Sequence, residues 1–314
     1  MKVCLAGQGA FGVKHLEAMA KIPGIEVISL VGSTREAAAP VAKQFNIPHW
    51  TGDLAESLQR PGLEAVILST PTQLHAAQGE QCMRAGKHVM IEIPMADSLA
   101  DSERLLRVQH EMGVIAMAGH TRRFNPSHQW IHERVLAGEL KILQMDVQTY
   151  FFRRTNTNAL GKPRSWTDHL LWHHACHTVD LFAYQTGEPA SHTFALEGPK
   201  HPSLGIAMDM SIGLKVASGA ICTLSLSFNN DGPLGTFFRY ICDNGTYLVR
   251  YDDLLTGKGE PIDVSTIAVS TNGIELQDRE FFAAIGAGRE PNASLAQCLP
   301  AMHTLDRLER QLKA

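Results

Sequence analysis

The first third of the chain alternates short apolar runs with amphipathic stretches. Runs rich in β-branched residues and bounded by glycine cover 3–6, 25–31, 65–69, 88–92 and 114–118. Helical periodicity fills intervals between them, over 11–20, 72–85 and 98–112, and a further helix capped by Thr34 is expected before residue 45. Strands that alternate with helices of this length predict a parallel sheet covered on both faces, which is a doubly wound α/β domain.

After residue 120 the pattern changes. The predicted elements are, in order, a helix over 127–137, a strand over 143–153, a helix over 170–185, four strands between 206 and 251, and helices over 276–287 and 295–312, the last capped by Ser294. Strands that follow one another without helices predict an open, mainly antiparallel sheet in an α+β domain. We therefore divide the chain into domains 1–120 and 121–314.

Composition narrows the function classes. With 44% apolar and 19% charged residues, the 314-residue chain is globular. Its net charge of −4 argues against a nucleic-acid partner. No apolar run is long enough to span a membrane, no secretory leader is evident, and the six cysteines form no C-x-x-C pair. We expect a reduced, cytoplasmic protein without a metal site.

A glycine motif directly follows the first predicted strand and opens the first helix. Gly7, Gly9 and Gly12 fit G-x-G-x-x-G, with Ala10 and Phe11 between them. The first glycine permits a tight turn, the second lets the backbone approach a pyrophosphate, and the third lets helix and strand pack closely. Because a helix N-terminus favours anions, this context predicts a dinucleotide cofactor. A turn without a ligand is the alternative.

The end of the second strand indicates which dinucleotide binds. Proteins selective for NAD carry Asp or Glu there to hold the ribose hydroxyls. Here Ser33, Thr34 and Arg35 occupy the position, and all three can donate to a 2′-phosphate. The sequence therefore predicts NADP. The alternative is that Ser33 and Thr34 cap a helix and that Arg35 is solvated.

Three motifs carry a family resemblance. They are Ser69-Thr70-Pro71-Thr72 with His75, Gly86-Lys87-His88-Val89 leading into Glu92-Ile93-Pro94, and His177-Thr178-Val179-Asp180. With the glycine motif, they resemble the glucose–fructose oxidoreductase and inositol dehydrogenase (Gfo/Idh/MocA) family over essentially the whole chain. The resemblance implies a Rossmann domain, NADP-linked oxidation and a homodimer formed through the C-terminal sheet. It also implies coenzyme contacts from Thr70, Pro71, His75, Glu92 and Pro94.

Two departures from the family pattern narrow the substrate. Ile93 stands where most of the family has lysine, and His173 stands where it has aspartate four residues before the histidine. Stretches 119–126, 164–174 and 227–233 resemble the subgroup that acts in bacterial protocatechuate 4,5-cleavage. That resemblance implies oxidation of the cyclic hemiacetal of a small dicarboxylate to a lactone. Oxidation of a sugar or cyclic polyol is the alternative, and an NADP-binding sensor without catalysis is the second.

Four histidines lie within nine residues. On a regular helix, His169, His173 and His177 share one face, with His174 beside them, and Asp180 follows on the same side. We expect His177, or else His173, to be the general base and His169 and His174 to contact substrate. Metal binding and purely structural hydrogen bonding are alternatives. A thiol mechanism through neighbouring Cys176 is another, although that side chain points off the histidine face.

Paired arginines are candidates for holding carboxylates. Arg122-Arg123 follows the last strand of the first domain, and Arg153-Arg154 ends a long strand. Guanidinium groups bind carboxylates bidentately, and a dicarboxylate needs about two such contacts. Because neighbouring strand residues point to opposite faces, we expect Arg153 but not Arg154 to reach the site. The further substrate-contact candidates are Arg164, Arg239 and Trp166. The alternative is that these arginines are solvated on the surface.

Overall fold

The alternating runs of the first third of the chain form one parallel sheet. The structure is a computed structural model that describes residues 1–157, 161, 163–164, 167–264 and 273–314. The strands are β1 (Lys2–Ala6), β2 (Glu26–Val31), β3 (Trp50–Thr51), β4 (Leu63–Leu68), β5 (His88–Glu92) and β6 (Ala116–Gly119). They lie in the order β3-β2-β1-β4-β5-β6, and every neighbouring pair is parallel. The doubly wound prediction is confirmed, with the switch point between β1 and β4.

Local capping signals set the ends of the helices between these strands. The helices are α1 (Ala10–Met19), α2 (Arg35–Gln44), α3 (Leu54–Leu58), α4 (His75–Arg84) and α5 (Leu99–Met112). The Thr34 hydroxyl accepts the Ala37 N–H at 3.1 Å, and Ser98 accepts the Asp101 N–H at the start of α5. In the described part of the chain, no helix is both long and apolar enough to cross a membrane.

The second sheet is mainly antiparallel, as predicted. Its strands are β7 (Ile142–Tyr150), β8 (His192–Glu197), β9 (Asp209–Lys215), β10 (Ile221–Ser227), β11 (Gly235–Cys242), β12 (Gly245–Arg250) and β13 (Asp253–Thr256). They lie in the order β13-β12-β11-β7-β10-β9-β8, and only β7 and β10 pair in parallel. Helices α6 (Pro126–Leu136) and α7 (Cys176–Thr186) contact strands of this sheet. Val147, Leu224 and Tyr240 are buried in its core.

The chain forms two units, and their limits differ from the division at residue 120. One unit takes Met1–Thr121 with the described part of Val269–Leu299, and the other takes the described part of Arg122–Ala268 with Pro300–Ala314. Helix α8 (Ile274–Ala287), which was predicted in the second domain, therefore belongs to the first unit. The reason is long-range pairing: the Ala118 N–H in β6 donates to the Ala293 carbonyl at 2.8 Å, and α8 packs on α1.

Candidate active site

The glycine motif forms a tight turn between β1 and α1. Gly7 has φ +115°, and a Cβ there would lie 2.2 Å from the Ser69 carbonyl oxygen. A Cβ on Gly12 would lie 1.8 Å from the Gly7 carbonyl oxygen. Gly9 differs, because a Cβ there would meet nothing within 4 Å. Gly7 and Gly12 are thus required by packing within the turn, whereas Gly9 keeps the approach to the turn open.

The start of α1 fits the pyrophosphate of a dinucleotide. No side chain caps Gly9, and the first turn, which begins with Ala10 and Phe11, contains no acidic residue. The backbone N–H groups of this turn therefore have no side-chain acceptor at the cap, and the helix dipole favours an anion there. This arrangement is what a Rossmann dinucleotide site requires.

The side chains of the loop after β2 contact their neighbours in the first unit. The Gln8 side-chain carbonyl accepts the Ser33 N–H at 3.1 Å, and the Gln8 amide donates to the Ser33 hydroxyl at 3.0 Å. The Thr34 hydroxyl caps α2, as the alternative interpretation proposed. Arg35 is exposed and makes no hydrogen bond or ion pair with the described residues. Because the two hydroxyls act as acceptors in these contacts, each keeps its own O–H, and Arg35 is the one charged donor of the three.

The loops after β4 and β5 are held together by His75. Its two ring nitrogens each lie 2.8 Å from a backbone carbonyl oxygen, those of Thr70 and Pro94. The Thr70 hydroxyl donates to Gln78 at 2.6 Å, and Pro71 precedes a single 3-10 turn. His75 is buried and burial lowers its pKa, so the neutral ring donates from one nitrogen to one of these carbonyls. This geometry indicates that His75 positions the two loops, and its predicted coenzyme contact stays a prediction.

Glu92 belongs to a buried row of charged and polar side chains that the sequence analysis did not predict. The Glu92 carboxylate lies 3.1 Å from His15 Nε2 and accepts a hydrogen bond from Gln277. On the other side of the ring, His15 Nδ1 lies 3.0 Å from the Asp278 carboxylate. Burial alone would lower the pKa of His15, but Asp278 and Glu92 raise it to about 10. The imidazole of His15 is therefore charged at neutral pH. Glu92 is thus bound by His15 on α1 and by Gln277 on α8.

The histidine cluster of the second unit does not lie on a regular helix. Leu170–Ala175 forms a π-helical turn that leads into α7, and His169 precedes it in an extended conformation. The expected i, i+4, i+8 alignment is therefore wrong, because a π turn changes the angular spacing of the side chains. The rings of His169 and His173 still meet edge to face, with centroids 4.8 Å apart.

His173 is poorly suited to accept a proton. Its Nδ1 accepts the His169 backbone N–H at 3.1 Å, which occupies that lone pair. Burial and the neighbouring His169 lower the pKa of His173 to about 3. His177 lies half-buried in the first turn of α7, whereas Cys176 beside it is buried, in agreement with a packing role.

Asp168 connects three of the predicted substrate-contact residues. Its Oδ1 accepts from Arg153 and, at 2.8 Å, from Arg164, while its Oδ2 lies 3.0 Å from His174 Nε2. Burial by itself raises the pKa of Asp168, but His174 and Arg153 lower it well below the usual range of a carboxyl. Arg154 lies over the Phe152 ring instead, and because β7 ends at Tyr150, the predicted alternation along a strand does not apply to this pair.

The two arginines of the other pair have structural partners. Both oxygens of Asp180 accept from Arg123, at 2.8 and 2.6 Å, in a buried bidentate pair. Arg123 thus forms a buried ion pair with Asp180, and its predicted contact with substrate stays a prediction. Arg122 is buried against the rings of Phe238 and Tyr251. Trp166 lies outside the described residues.

The fold and the two sets of residues define a Rossmann oxidoreductase with a separate α+β unit. Residues 1–120 match the family described as "Oxidoreductase family, NAD-binding Rossmann fold", and residues 126–268 match "Bacterial oxidoreductases, C-terminal". The chain belongs to the Gfo/Idh/MocA family, and it is a dehydrogenase.

The chain is also similar to individual dehydrogenases, over its whole length or over part of it. The chain is 63% identical over 313 residues to 4-carboxy-2-hydroxymuconate-6-semialdehyde dehydrogenase of Sphingobium sp. (strain NBRC 103272 / SYK-6), covering 100% of this chain and 99% of the relative. It is 30% identical to scyllo-inositol 2-dehydrogenase (NAD(+)) of Bacillus subtilis (strain 168) over 45% of this chain and 41% of the relative. Levoglucosan dehydrogenase in complex with NADH has the same fold, with a TM-score of 0.87 at 20% identity, covering 100% of this chain and 97% of that one.

Proposed function

We propose that this chain oxidises the cyclic hemiacetal of 4-carboxy-2-hydroxymuconate-6-semialdehyde to 2-pyrone-4,6-dicarboxylate with NADP. The observation that carries the proposal is the 63% identity over the whole chain to a dehydrogenase of that semialdehyde. The cluster of Arg153, Arg164 and His174 supports it, because a dicarboxylate needs cationic donors.

The coenzyme preference rests on the loop after β2. No carboxylate stands at Ser33 to repel a 2′-phosphate, and the exposed guanidinium of Arg35 is available to bind one. Gly9, Ala10 and Phe11 would hold the pyrophosphate at the start of α1. Bound NADP supplies the acceptor for the hydride that leaves the hemiacetal carbon.

His177 is the proposed general base. Oxidation of a hemiacetal to a lactone removes a hydride from the carbon and a proton from its hydroxyl. His173 has its Nδ1 lone pair engaged and a pKa of about 3, so it would remain neutral and hold its neighbours. The half-buried imidazole of His177 is the group that we assign to take up this proton.

The C-terminal sheet is the proposed homodimer surface. Phe194 and Leu196 on edge strand β8 are 55% and 60% exposed, and Phe237 is partly exposed on β11. A second copy of the chain would cover these apolar side chains. All six cysteines are free and buried, which fits a reducing compartment, and we propose a cytoplasmic location.

A substrate panel tests the proposal. Enzyme is mixed with NADP and either ring-cleaved protocatechuate, inositol or glucose, and the absorbance of reduced nicotinamide is followed. We expect reduction with ring-cleaved protocatechuate alone. Reduction with the polyols alone would select a sugar or polyol dehydrogenase, and coenzyme binding without reduction by any of the three would select a sensor.

A further inference from the structure

A cationic cluster lies just past the carboxyl ends of β7 and β10. These strands pair in parallel through Tyr150 and Ser227, so both end at the same edge of the sheet. Arg153 follows β7, and Phe228 follows β10. The chain between Arg164 and His174 brings Asp168 to the same place, where its carboxylate joins the two guanidinium groups and the imidazole.

The cluster carries an excess of positive charge and is partly open to solvent. Two guanidinium groups against one carboxylate leave a net charge of +1 when His174 is neutral. The side chain of Asp168 is 10% exposed, whereas those of Arg164 and His174 are 24% and 19% exposed. An anion arriving from solvent can therefore reach the cations while Asp168 stays in place behind them.

Aromatic rings pack against the cluster. The Arg153 guanidinium lies over the Phe228 ring at 4.6 Å, and the His174 ring centroid lies 5.1 Å from Phe228 and 5.3 Å from Phe151. Such packing restricts the guanidinium and the imidazole. The cluster is therefore held from its apolar side as well as by Asp168.

We propose that Asp168 is the positioning residue of this cluster, an inference that rests on the function proposed above. Asp168 fixes Arg153, Arg164 and His174 in the orientation in which they receive one carboxylate of a planar dicarboxylate. It also offsets one guanidinium charge, so that the dianionic product is not held too tightly to leave. Asp168 thus acts through the groups that it binds and does not itself touch the substrate.

The test compares Asp168→Asn and Asp168→Glu with Asp306→Asn. Asp306 pairs with exposed Arg310 at 2.8 Å in the same unit. Asp306→Asn is therefore the control, because it removes a carboxylate that pairs with an arginine outside the cluster. Thermal unfolding, kcat and KM are measured for each variant. Binding of 2-pyrone-4,6-dicarboxylate is measured by calorimetry, which requires no turnover.

In Asp168→Asn we expect kcat to fall by about 10- to 100-fold because the guanidinium groups lose their orientation. The affinity for the dicarboxylate should remain or tighten, by up to about tenfold, because the cluster gains one net positive charge. Asp168→Glu keeps the charge, so binding should match the wild type and kcat should recover in part. Asp306→Asn should behave as the wild type throughout.

Several outcomes would overturn the inference. They are wild-type kcat in Asp168→Asn, a loss of dicarboxylate affinity in proportion to kcat, or absence of dicarboxylate binding by the wild type. If Asp168→Asn does not fold, an Asp168→Glu enzyme whose kcat and pH profile equal those of the wild type overturns it instead. A wild type that binds the dicarboxylate but does not oxidise the hemiacetal contradicts the proposed function alone, and the binding response of Asp168→Asn still decides the inference.

Discussion

The surroundings of His173 limit its capacity to accept a proton. His173 receives a backbone hydrogen bond at Nδ1 and has its pKa lowered to about 3 by burial, so both effects keep it neutral. His177 follows in the first turn of α7, after the π-helical turn. Residue type alone gave both histidines the same candidate role, and the surroundings of His173 leave His177 as the proposed base.

Replacing His177 should therefore affect the chemical step. We expect His177→Asn to lower kcat by about 10²–10⁴-fold with little change in KM, since a general base contributes about that much. His173→Asn is the control, because its amide oxygen can still accept the His169 N–H, and its kcat should fall less than about tenfold. Steady-state kinetics across pH would reveal the reverse pattern if His173 were the base.

Coenzyme selectivity should depend on a single exposed guanidinium. Ser33 and Thr34 offer only neutral hydroxyl donors, whereas Arg35 offers a charged one, so Arg35→Ala should raise the KM for NADP by about 10- to 100-fold and leave that for NAD unchanged. Arg35→Lys keeps the charge and should lose less. Equal losses for both coenzymes, or none, would show that the 2′-phosphate is held by other groups.

At the scale of helices and strands, the sequence predicted the features that are set by residues close together in the chain. The caps at Thr34 and Ser294 are confirmed, because each hydroxyl accepts an N–H three residues later. Edge strand β8 was missed, since its large apolar residues, Phe194 and Leu196, lie on the exposed face, which is the opposite of the alternation that marks a half-buried strand. The π-helical turn was missed because its histidines fit ordinary helical spacing equally well.

The site was predicted less completely than the fold. Arg153, Arg164 and His174 were each predicted as substrate contacts, but their common partner Asp168 was not predicted, because pairing with residues up to 15 positions away has no local signal. The Arg123–Asp180 pair joins residues 57 positions apart, and His15 meets an aspartate 263 positions away. Pairing at such separations depends on tertiary structure, which hydrophobic periodicity does not encode.

The glycine turn offers a matched pair of substitutions. Gly12→Ala places a methyl group against the Gly7 carbonyl and should lower the free energy of unfolding by about 3 kcal/mol or more. Gly9→Ala meets no neighbour, so stability should stay within about 1 kcal/mol while NADP affinity falls about tenfold or more. Denaturant unfolding and calorimetry measure both. Unchanged NADP affinity in Gly9→Ala would contradict a pyrophosphate at this turn.

At the scale of the molecule, the first unit is assembled from both ends of the chain. His15 on α1 lies between Glu92 at the end of β5 and Asp278 on α8, and all three side chains are buried. Removal of one partner from such a buried charged set typically costs about 3–5 kcal/mol. Helix α8 is thus linked through His15 to α1 and to Glu92 at the end of β5.

Because of these ion pairs, the free energy of unfolding should fall as the pH rises into the alkaline range. The pKa of His15 is raised to about 10, so its contribution is fully present below the unfolded value near 6.5 and is lost as pH rises towards 10. We expect His15→Asn to lower the free energy of unfolding at pH 7 and to flatten its decline at higher pH. Denaturant unfolding at several pH values measures this, and an unchanged alkaline slope would contradict a charged His15.

Identification of the product tests the central claim most directly. Oxidation of the cyclic hemiacetal yields one 2-pyrone-4,6-dicarboxylate for each NADP reduced, without incorporation of water oxygen. Mass spectrometry at the earliest measurable times, with reduced coenzyme counted in parallel, should find the lactone in equal amount. An open-chain tricarboxylate that appears before any lactone would mean that the free aldehyde is oxidised and would contradict the account.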